Sequence, residues 1–161
     1  CHTNPWIQIA EARLGRGERA LDYYLRINPS AREEISEVHR CEPYAYAQMI
    51  AGKEALKPGE AKNSWLTGTA AWSYVAVTQW ILGIRPTFDG LKIAPVVPED
   101  WTAFDVQRTF RGVRYLIHVE RVGAGNAVRL EVEGAPVEGD VVGIPSGGQT
   151  EVRVRAVLGT A

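Results

Sequence analysis

Apolar residues in the first part of the chain recur at helical spacing. Between residues 4 and 14 they stand three or four positions apart, with Asn4 as a capping residue, Pro5 in the first turn and Gly15 at the end. Residues 18–27 repeat this spacing. The pattern predicts two successive helices.

Three further helical segments are predicted before residue 84. Ser30 and Glu33 have the spacing of a capping box, which indicates a short helical turn. Residues 42–52, which begin with Glu-Pro and end with Gly, predict another helix, and residues 69–83 predict the longest one. This last stretch is apolar on almost every side, as in a helix that is buried within a larger assembly. The helices before it are too few to cover it, so we expect the helical part to be incomplete by itself.

From residue 91 onward the period changes from that of helices to that of strands. Apolar and polar residues alternate, and Gly and Pro separate the alternating stretches. These stretches are residues 91–97, 104–110, 113–122, 127–134 and 151–157. Several short strands of this kind predict an antiparallel sandwich or barrel, which would begin between residues 84 and 90.

Composition and charge narrow the range of partners. The 161 residues are 45% hydrophobic, enough for one domain or two small ones, and the net charge is −1. A nearly neutral chain gives no electrostatic reason to expect nucleic acid or a membrane surface as partner. No apolar run has the length of a membrane span, and no signal peptide is visible. We therefore expect a cytoplasmic protein.

The first residue is Cys1 rather than Met, and a helix start follows within three residues. We therefore expect the C-terminal part of a longer polypeptide. Cys1 and Cys41 are too few for a disulfide framework and are predicted to be free thiols. Three histidines without clustered cysteines or carboxylates give no reason to predict a metal site.

One short stretch, SWLTGTAAW at residues 64–72, places a Thr-Gly-Thr turn directly before the longest predicted helix. The first N–H groups of a helix lack internal partners and attract anions. Gly68 permits close approach of another group, and Thr67 and Thr69 add hydroxyl donors. The turn can therefore hold a phosphate. The alternative is that Thr69 is an ordinary helix cap and Gly68 serves a tight turn.

Four longer sequence motifs give further information about fold and function. The stretches LGRGERALDYY, ISEVHRCEPYAYAQMIAGK, EAKNSWLTGTAAW and QWILGIRPTFDGLKIAPVVPEDW occur in this order. Together they resemble the C-terminal third of glycoside hydrolase family 94, over roughly residues 1–120. Members of that family are inverting glycoside phosphorylases, together with the phosphorylase-like domain of cyclic β-1,2-glucan synthases.

The resemblance implies an α+β multidomain fold. Residues 1–84 would be the C-terminal helices of an (α/α)6 barrel, and residues 85–161 an antiparallel β-sandwich. It also implies that His2, Thr67 and Gly68 bind phosphate and that Gln48 contacts the donor sugar. Phosphate would be a co-substrate, and no cofactor is expected.

The resemblance also implies that this chain has no catalytic residue of its own. The general acid of the family is an aspartate on an upstream segment that these residues do not contain. Glu42, Glu60 and Asp89 lie in recognisable motifs, but Glu42 is interpreted as a helix cap and Asp89 as a turn residue. None of the three is assigned the catalytic role.

The remaining candidates have structural alternatives. His39 and His118 are interpreted as structural, and Trp65 and Trp72 as packing residues that could instead stack on a sugar. The residues just before the turn, 60–63, could order the phosphate loop through hydrogen bonds.

Two classes of function are therefore open. The chain is part of a glycoside phosphorylase that acts on a β-linked disaccharide or oligosaccharide together with its upstream polypeptide, or it belongs to a cyclic glucan synthase. Alternatively it is a detached, non-catalytic module. By itself it is predicted to be inactive and to aggregate, and a homodimer is compatible with the first interpretation.

Overall fold

A computed structural model describes residues 1–159, which form two compact units divided after Val77. Residues 160 and 161, at the end of the predicted second domain, lie outside the described part. Helices dominate the first unit and strands the second, which is compatible with the predicted α+β class. In the described part of the chain, no helix is both long enough and apolar enough to cross a bilayer.

The first unit begins with two packed helices, α1 (Asn4–Arg13) and α2 (Gly17–Ile27). Gly15 joins them with a φ of 75°, a conformation that glycine adopts without strain at the end of a helix. Ala12 and Ala20 are buried, so small side chains let the two helices approach closely. Both predicted helices are confirmed within a few residues at each end.

A 3-10 helix (Pro29–Ile35) and the single turn of α3 (Ser36–His39) follow. The helical turn predicted around Ser30 is therefore present. Its cap is Asn28, whose side-chain oxygen accepts a hydrogen bond from the Ser30 N–H at 3.3 Å.

The helix predicted for residues 42–52 is wrong. This segment forms turns and then β1 (Met49–Ile50), which pairs antiparallel with β2 (Ala61–Lys62). The physical reason is visible in the burial, because Ala45 and Ala47 are buried while the residues around them are more exposed. That alternation has the period of a strand, and the cross-strand partner supplies the backbone hydrogen bonds that a helix would otherwise have made.

The longest predicted helix is present, with a change of winding. It consists of α4 (Thr69–Val75), and the chain then continues as a π-helical segment (Ala76–Ile81). The face formed by Thr69, Ser73 and Ala76 is buried, whereas Trp72 and Tyr74 are 40% and 62% exposed. α4 is therefore covered on one side in this chain, not all round, whereas no residue of the π-helical segment is fully exposed.

The second unit contains two sheets. A three-stranded antiparallel sheet has the order β3-β4-β9, formed by β3 (Ile84–Pro86), β4 (Gly90–Ile93) and β9 (Val141–Gly143). A five-stranded sheet has the order β5-β6-β10-β7-β8. Its strands are β5 (Ala103–Phe110), β6 (Val113–Arg121), β7 (Val128–Val132), β8 (Ala135–Val137) and β10 (Glu151–Leu158).

The alternating pattern determines which face of the larger sheet is buried. Along β6, Val113, Tyr115, Ile117 and Val119 are buried, while Arg114 and His118 between them are exposed. The five stretches predicted as strands are confirmed, although the first ends at Ile93. The three-residue strands β3, β8 and β9 are too short to show a period and were not predicted.

One pairing corrects the antiparallel prediction. β10 lies between β6 and β7 and runs antiparallel to β7 but parallel to β6, so the larger sheet is mixed. Side-chain alternation reports which face a residue occupies, and it carries no information about the direction of the neighbouring strand.

Candidate functional site

His2, Thr67 and Gly68, which are distant in the sequence, meet at the start of α4. The Nδ1 atom of His2 lies 3.4 Å from the Thr67 hydroxyl oxygen. A Cβ on residue 68 would lie only 2.7 Å from Cε1 of the same imidazole. The φ of Gly68 is −73°, which any residue can adopt, so the requirement for glycine comes from the close approach of His2.

A chain of hydroxyl groups fixes the direction of the hydrogen bonds at this turn. The Thr69 hydroxyl donates to the backbone carbonyl of Ala47 at 3.2 Å, and the hydroxyl oxygens of Thr67 and Thr69 are 2.7 Å apart. A carbonyl can only accept, so Thr69 donates to Ala47 and therefore accepts from Thr67. The Thr67 oxygen is then an acceptor for His2, which assigns the proton at this contact to Nδ1 of the imidazole.

The side chain that caps α4 belongs to Thr67 and not to Thr69, the residue named in the alternative prediction. Thr69 is the first residue of the helix and is completely buried. Its backbone N–H donates to the Thr67 hydroxyl oxygen at 3.0 Å, so Thr67 provides the capping atom. Thr67 therefore has a structural role in addition to any ligand contact.

Gln48 lies beside this cluster, because its backbone carbonyl accepts a hydrogen bond from the backbone N–H of His2 at 3.2 Å. The Gln48 N–H donates to the carbonyl of Lys62 at 3.2 Å, and the Gln48 side chain accepts from Asn63 at 2.8 Å. The structure thus brings together all four residues predicted to bind phosphate or sugar. Asn63 thus makes its side-chain hydrogen bond to Gln48, and the ordering role predicted for residues 60–63 stays a prediction.

The acidic residues near these motifs are engaged elsewhere. Lys62 pairs with Glu60 and lowers the pKa of that carboxyl group. The pKa of Glu42 is lowered by its own backbone N–H and then by the indole N–H of Trp65, which lies 3.5 Å from the carboxylate. A lowered pKa favours the ionised form, which cannot donate a proton, so neither group suits a general acid. Asp89 lies in the other unit, between β3 and β4.

The other two histidines belong to different units, His39 to the helical unit and His118 to the strand-rich unit. His39 is 8% exposed and lines a cavity of about 200 Å³. Burial lowers its pKa, and the positive charge of Arg32 lowers it further. His118 lies on β6, with its Nδ1 atom 2.8 Å from the Asp105 carboxylate. The structural interpretation of both histidines stays a prediction.

The tryptophans on either side of the turn have different surroundings. Trp72 packs edge-to-face against Trp6, with ring centroids 5.8 Å apart. Trp65 is 64% exposed, contacts the ring of Tyr44 and has a φ of 69°, which is rare for a bulky residue. Trp72 therefore has the predicted packing role, whereas Trp65 is held in an exposed and strained position near the cluster.

The cysteines do not add a reactive site. Cys1 and Cys41 are free thiols, as predicted. Burial raises the pKa of the Cys41 thiol, which disfavours the thiolate form needed by a nucleophile. Across residues 1–159, no group of three or more His, Cys, Asp and Glu side chains is placed to hold a metal ion.

Comparison with known proteins now decides the family. Residues 1–83, more than half of the chain, match the model of the glycosyl hydrolase 94 superfamily catalytic domain. The chain belongs to this superfamily. The predicted resemblance is confirmed, and it covers the whole cluster of His2, Gln48, Thr67 and Gly68.

Individual relatives agree with this assignment. The chain is 42% identical over 161 residues to the N,N'-diacetylchitobiose phosphorylase of Vibrio proteolyticus, covering 98% of this chain and 20% of the relative. It is 36% identical over 152 residues to the solabiose phosphorylase of Paenibacillus borealis, covering 93% and 20%. It is 35% identical over 123 residues to the cyclic beta-(1,2)-glucan synthase NdvB of Rhizobium meliloti (strain 1021), covering 74% and 4%. The chain therefore spans about one fifth of the length of the phosphorylases that it matches.

Proposed function

We propose that this chain supplies the phosphate and donor-sugar contacts of an inverting glycoside phosphorylase whose other catalytic parts lie on an upstream segment. His2, Thr67 and Gly68 would bind phosphate, and Gln48 would contact the sugar whose bond is cleaved. The observation that carries this proposal is the meeting of the four residues, in which His2 contacts the Thr-Gly turn through its ring and Gln48 through its backbone.

The chemistry of phosphorolysis explains why such a site is needed. An inverting glycosidase uses one carboxylic acid to protonate the leaving oxygen and a second carboxylate to activate water. Phosphate is already a nucleophile, so one acid suffices. The bond from the anomeric carbon to the leaving sugar breaks as the bond to a phosphate oxygen forms, and the acid gives its proton to the leaving oxygen.

The cluster fits the binding of an anion that must remain reactive. The Thr67 hydroxyl and the His2 Nδ1–H would exchange their partners within the cluster for the anion, and they would not enclose it in several fixed positive charges. The Thr67 hydroxyl donates to the Thr69 hydroxyl, which donates to the Ala47 carbonyl. A bound phosphate would therefore compete with Thr69 for the hydrogen of the Thr67 hydroxyl. Binding would therefore exchange one hydrogen bond for another, which limits the stabilisation of the ground state.

The rest of the assignment follows from the superfamily. The helical residues would complete an (α/α)6 barrel, the strand-rich unit would act as a β-sandwich, and a cytoplasmic parent, with a homodimer as one assembly, is consistent with this picture. The general acid would be an upstream aspartate, and phosphate would be consumed as a co-substrate. The chain by itself would then be inactive.

Two alternatives were open from the sequence, and one of them has specific support. The similarity to NdvB over 74% of this chain favours a phosphorylase-like domain of a cyclic β-1,2-glucan synthase as the second candidate. A detached module without catalysis would also contain these folded units. We put the disaccharide phosphorylase first because the chain is 42% identical to a chitobiose phosphorylase and 35% identical to the synthase.

The proposal is tested by product analysis with the full-length polypeptide. The enzyme is incubated with phosphate and a panel of β-linked disaccharides, including those of glucose and N-acetylglucosamine, and the products are followed by proton and phosphorus NMR. We expect a sugar 1-phosphate with the α configuration, and none from residues 1–161 alone. Phosphate-independent hydrolysis, or the absence of any sugar phosphate across the panel, would contradict the proposal.

A further inference from the structure

Asn63 lies directly opposite Gln48 across the short β1–β2 ladder. In this ladder Met49 pairs with Lys62 and Ile50 with Ala61. Extended by one position, this register sets Gln48 against Asn63, although the Gln48 N–H itself donates to the Lys62 carbonyl, one residue out of register. One step further along, the backbone N–H of Trp65 donates to the carbonyl of Tyr46 at 3.4 Å. Gln48 and Asn63 are therefore cross-strand neighbours, which is the arrangement in which side chains on paired strands interact.

The backbone at Asn63 is adapted to this contact. Its φ is 51°, in the left-handed region, where Asn is one of the residues tolerated best after Gly. From that position the Asn63 Nδ2 group donates to Oε1 of Gln48 at 2.8 Å, which is a good distance for an N–H to oxygen bond. Two left-handed residues, Asn63 and Trp65, stand two positions apart just before the Thr-Gly turn. Backbone conformations of this kind persist where the surrounding structure holds them, and they cluster at binding sites.

We infer that Asn63 is a positioning residue that holds the Gln48 side chain in one amide orientation, so that Gln48 presents its N–H donors to the sugar. This inference rests on the proposed donor-sugar role of Gln48. An amide has one acceptor end and one donor end, and Asn63 occupies the acceptor end of Gln48. The Nε2 group is left as the ligand-facing end, and its natural partner is an oxygen lone pair of a sugar hydroxyl or ring.

Gln48 also links the proposed sugar contact to the proposed phosphate contact. The backbone carbonyl of Gln48 accepts from the His2 N–H, so the segment that carries the sugar contact also anchors the phosphate histidine. The Asn63 bond acts on the Gln48 side chain and not on this backbone link. Its loss should therefore affect the sugar and leave the phosphate contacts intact.

Three substitutions in the full-length enzyme separate these effects. Asn63→Gly keeps the left-handed backbone and removes the amide. Asn63→Asp keeps the shape but places an acceptor against Oε1, which forces the Gln48 amide to turn its donors away from the sugar. Gln48→Ala removes the sugar contact itself. Kinetic constants for disaccharide and for phosphate are measured for each single variant and for both double variants.

We expect Asn63→Gly to lower kcat/KM for the disaccharide about threefold to tenfold, the effect of one hydrogen bond. Asn63→Asp should lower it further, and both substitutions should have no additional effect in the Gln48→Ala background. KM for phosphate should change less than twofold, whereas general damage to the hairpin would change both constants.

Three results would overturn the inference in different ways. If Gln48→Ala lowers kcat/KM for the disaccharide but Asn63→Asp behaves as wild type, the positioning role is wrong and the proposed function stands. If wild type performs phosphorolysis and Gln48→Ala leaves the disaccharide constants unchanged, the donor-sugar role of Gln48 is wrong. The positioning role of Asn63, which depends on it, is then wrong as well. An equal loss in phosphate and disaccharide constants would assign Asn63 a purely structural role.

Discussion

The imidazole of His2 occupies the space that a side chain on residue 68 would need. A Cβ on Gly68 would lie 2.7 Å from Cε1 and 3.3 Å from Nε2 of His2. Gly68 thus determines where the histidine can lie relative to the Thr67 hydroxyl. Two residues from opposite ends of the helical unit depend on each other for their position.

Gly68→Ala in the full-length enzyme should therefore displace His2 and weaken phosphate binding. A shift of several tenths of an ångström to one ångström in a positioned group costs about tenfold to 100-fold in kcat/KM. We expect a loss in this range for phosphate, measured by initial rates at varied phosphate. Gly52→Ala is the matched control, because a Cβ there meets no atom within 4 Å. If the two variants have the same kcat/KM for phosphate, the close approach of His2 to Gly68 does not contribute to phosphate binding.

Thr69→Val should destabilise the segment around Gln48, which precedes β1. Valine has nearly the same shape but leaves the buried carbonyl of Ala47 without the donor at 3.2 Å. An unsatisfied buried group of this kind costs about 1–3 kcal/mol, and Thr69→Ser should recover most of it. Hydrogen exchange of peptides around residues 45–50 and 66–72 measures the effect locally. Unchanged exchange in Thr69→Val would contradict the hydroxyl chain.

His39 should make the stability of the protein fall as the pH is lowered. Its ordinary pKa is 6.5, and in the folded state burial, with the charge of Arg32, lowers it. As the pH falls through 6.5, the unfolded chain gains a proton that the folded chain does not, so unfolding becomes more favourable until the folded pKa is reached. His39→Gln removes this contribution.

The measurement is the thermal midpoint of the full-length protein at pH 7.5 and pH 5.5. The decrease between these values should be smaller in His39→Gln than in wild type. A decrease of the same size in both proteins would show that His39 does not contribute to the pH dependence.

Residues 1–161 expressed by themselves should self-associate. Large apolar side chains are exposed in the helical unit, among them Trp6, Ile7, Leu14, Leu66 and Tyr74. Exposed apolar surface of this extent usually contacts another part of a protein. Sedimentation velocity at several concentrations tests this, and a monodisperse monomer that unfolds cooperatively would be the contrary result.

The sequence predicted most of the regular structure because its signals are local. Helices α1 and α2 follow from apolar spacing and Gly15, and the strand faces follow from alternation along β6 and β10. The parallel pairing of β6 with β10 could not be predicted, since it depends on a partner more than thirty residues away. The segment before Met49 shows how two periods compete, because its alternating Ala and Tyr residues fit a strand as well as a helix.

The site was predictable only in part, and for a different reason. The turn of Thr67 and Gly68 was predicted from the start of the helix, whereas His2 and Gln48 were predicted only from a resemblance. The proximity of the four residues in space was not visible in their spacing. Asn63 was predicted, with the rest of residues 60–63, to order the phosphate loop. Its contact with Gln48 could not be predicted, because that contact depends on the pairing of β1 with β2. The hydrogen bond from Thr69 to the Ala47 carbonyl could not be predicted either, since every residue has a backbone carbonyl whatever its side chain.

The most direct test of the central claim is the phosphate dependence of phosphorolysis by the full-length enzyme. Wild type is compared with His2→Ala, Thr67→Val and Thr67→Ser at a saturating concentration of disaccharide. If the His2–Thr67–Gly68 cluster binds phosphate, KM for phosphate rises at least tenfold in His2→Ala and Thr67→Val, about the worth of one charge-assisted hydrogen bond. Thr67→Ser, which keeps the hydroxyl, then stays close to wild type. An unchanged phosphate KM in His2→Ala and Thr67→Val would reduce the turn to a helix cap and contradict the account.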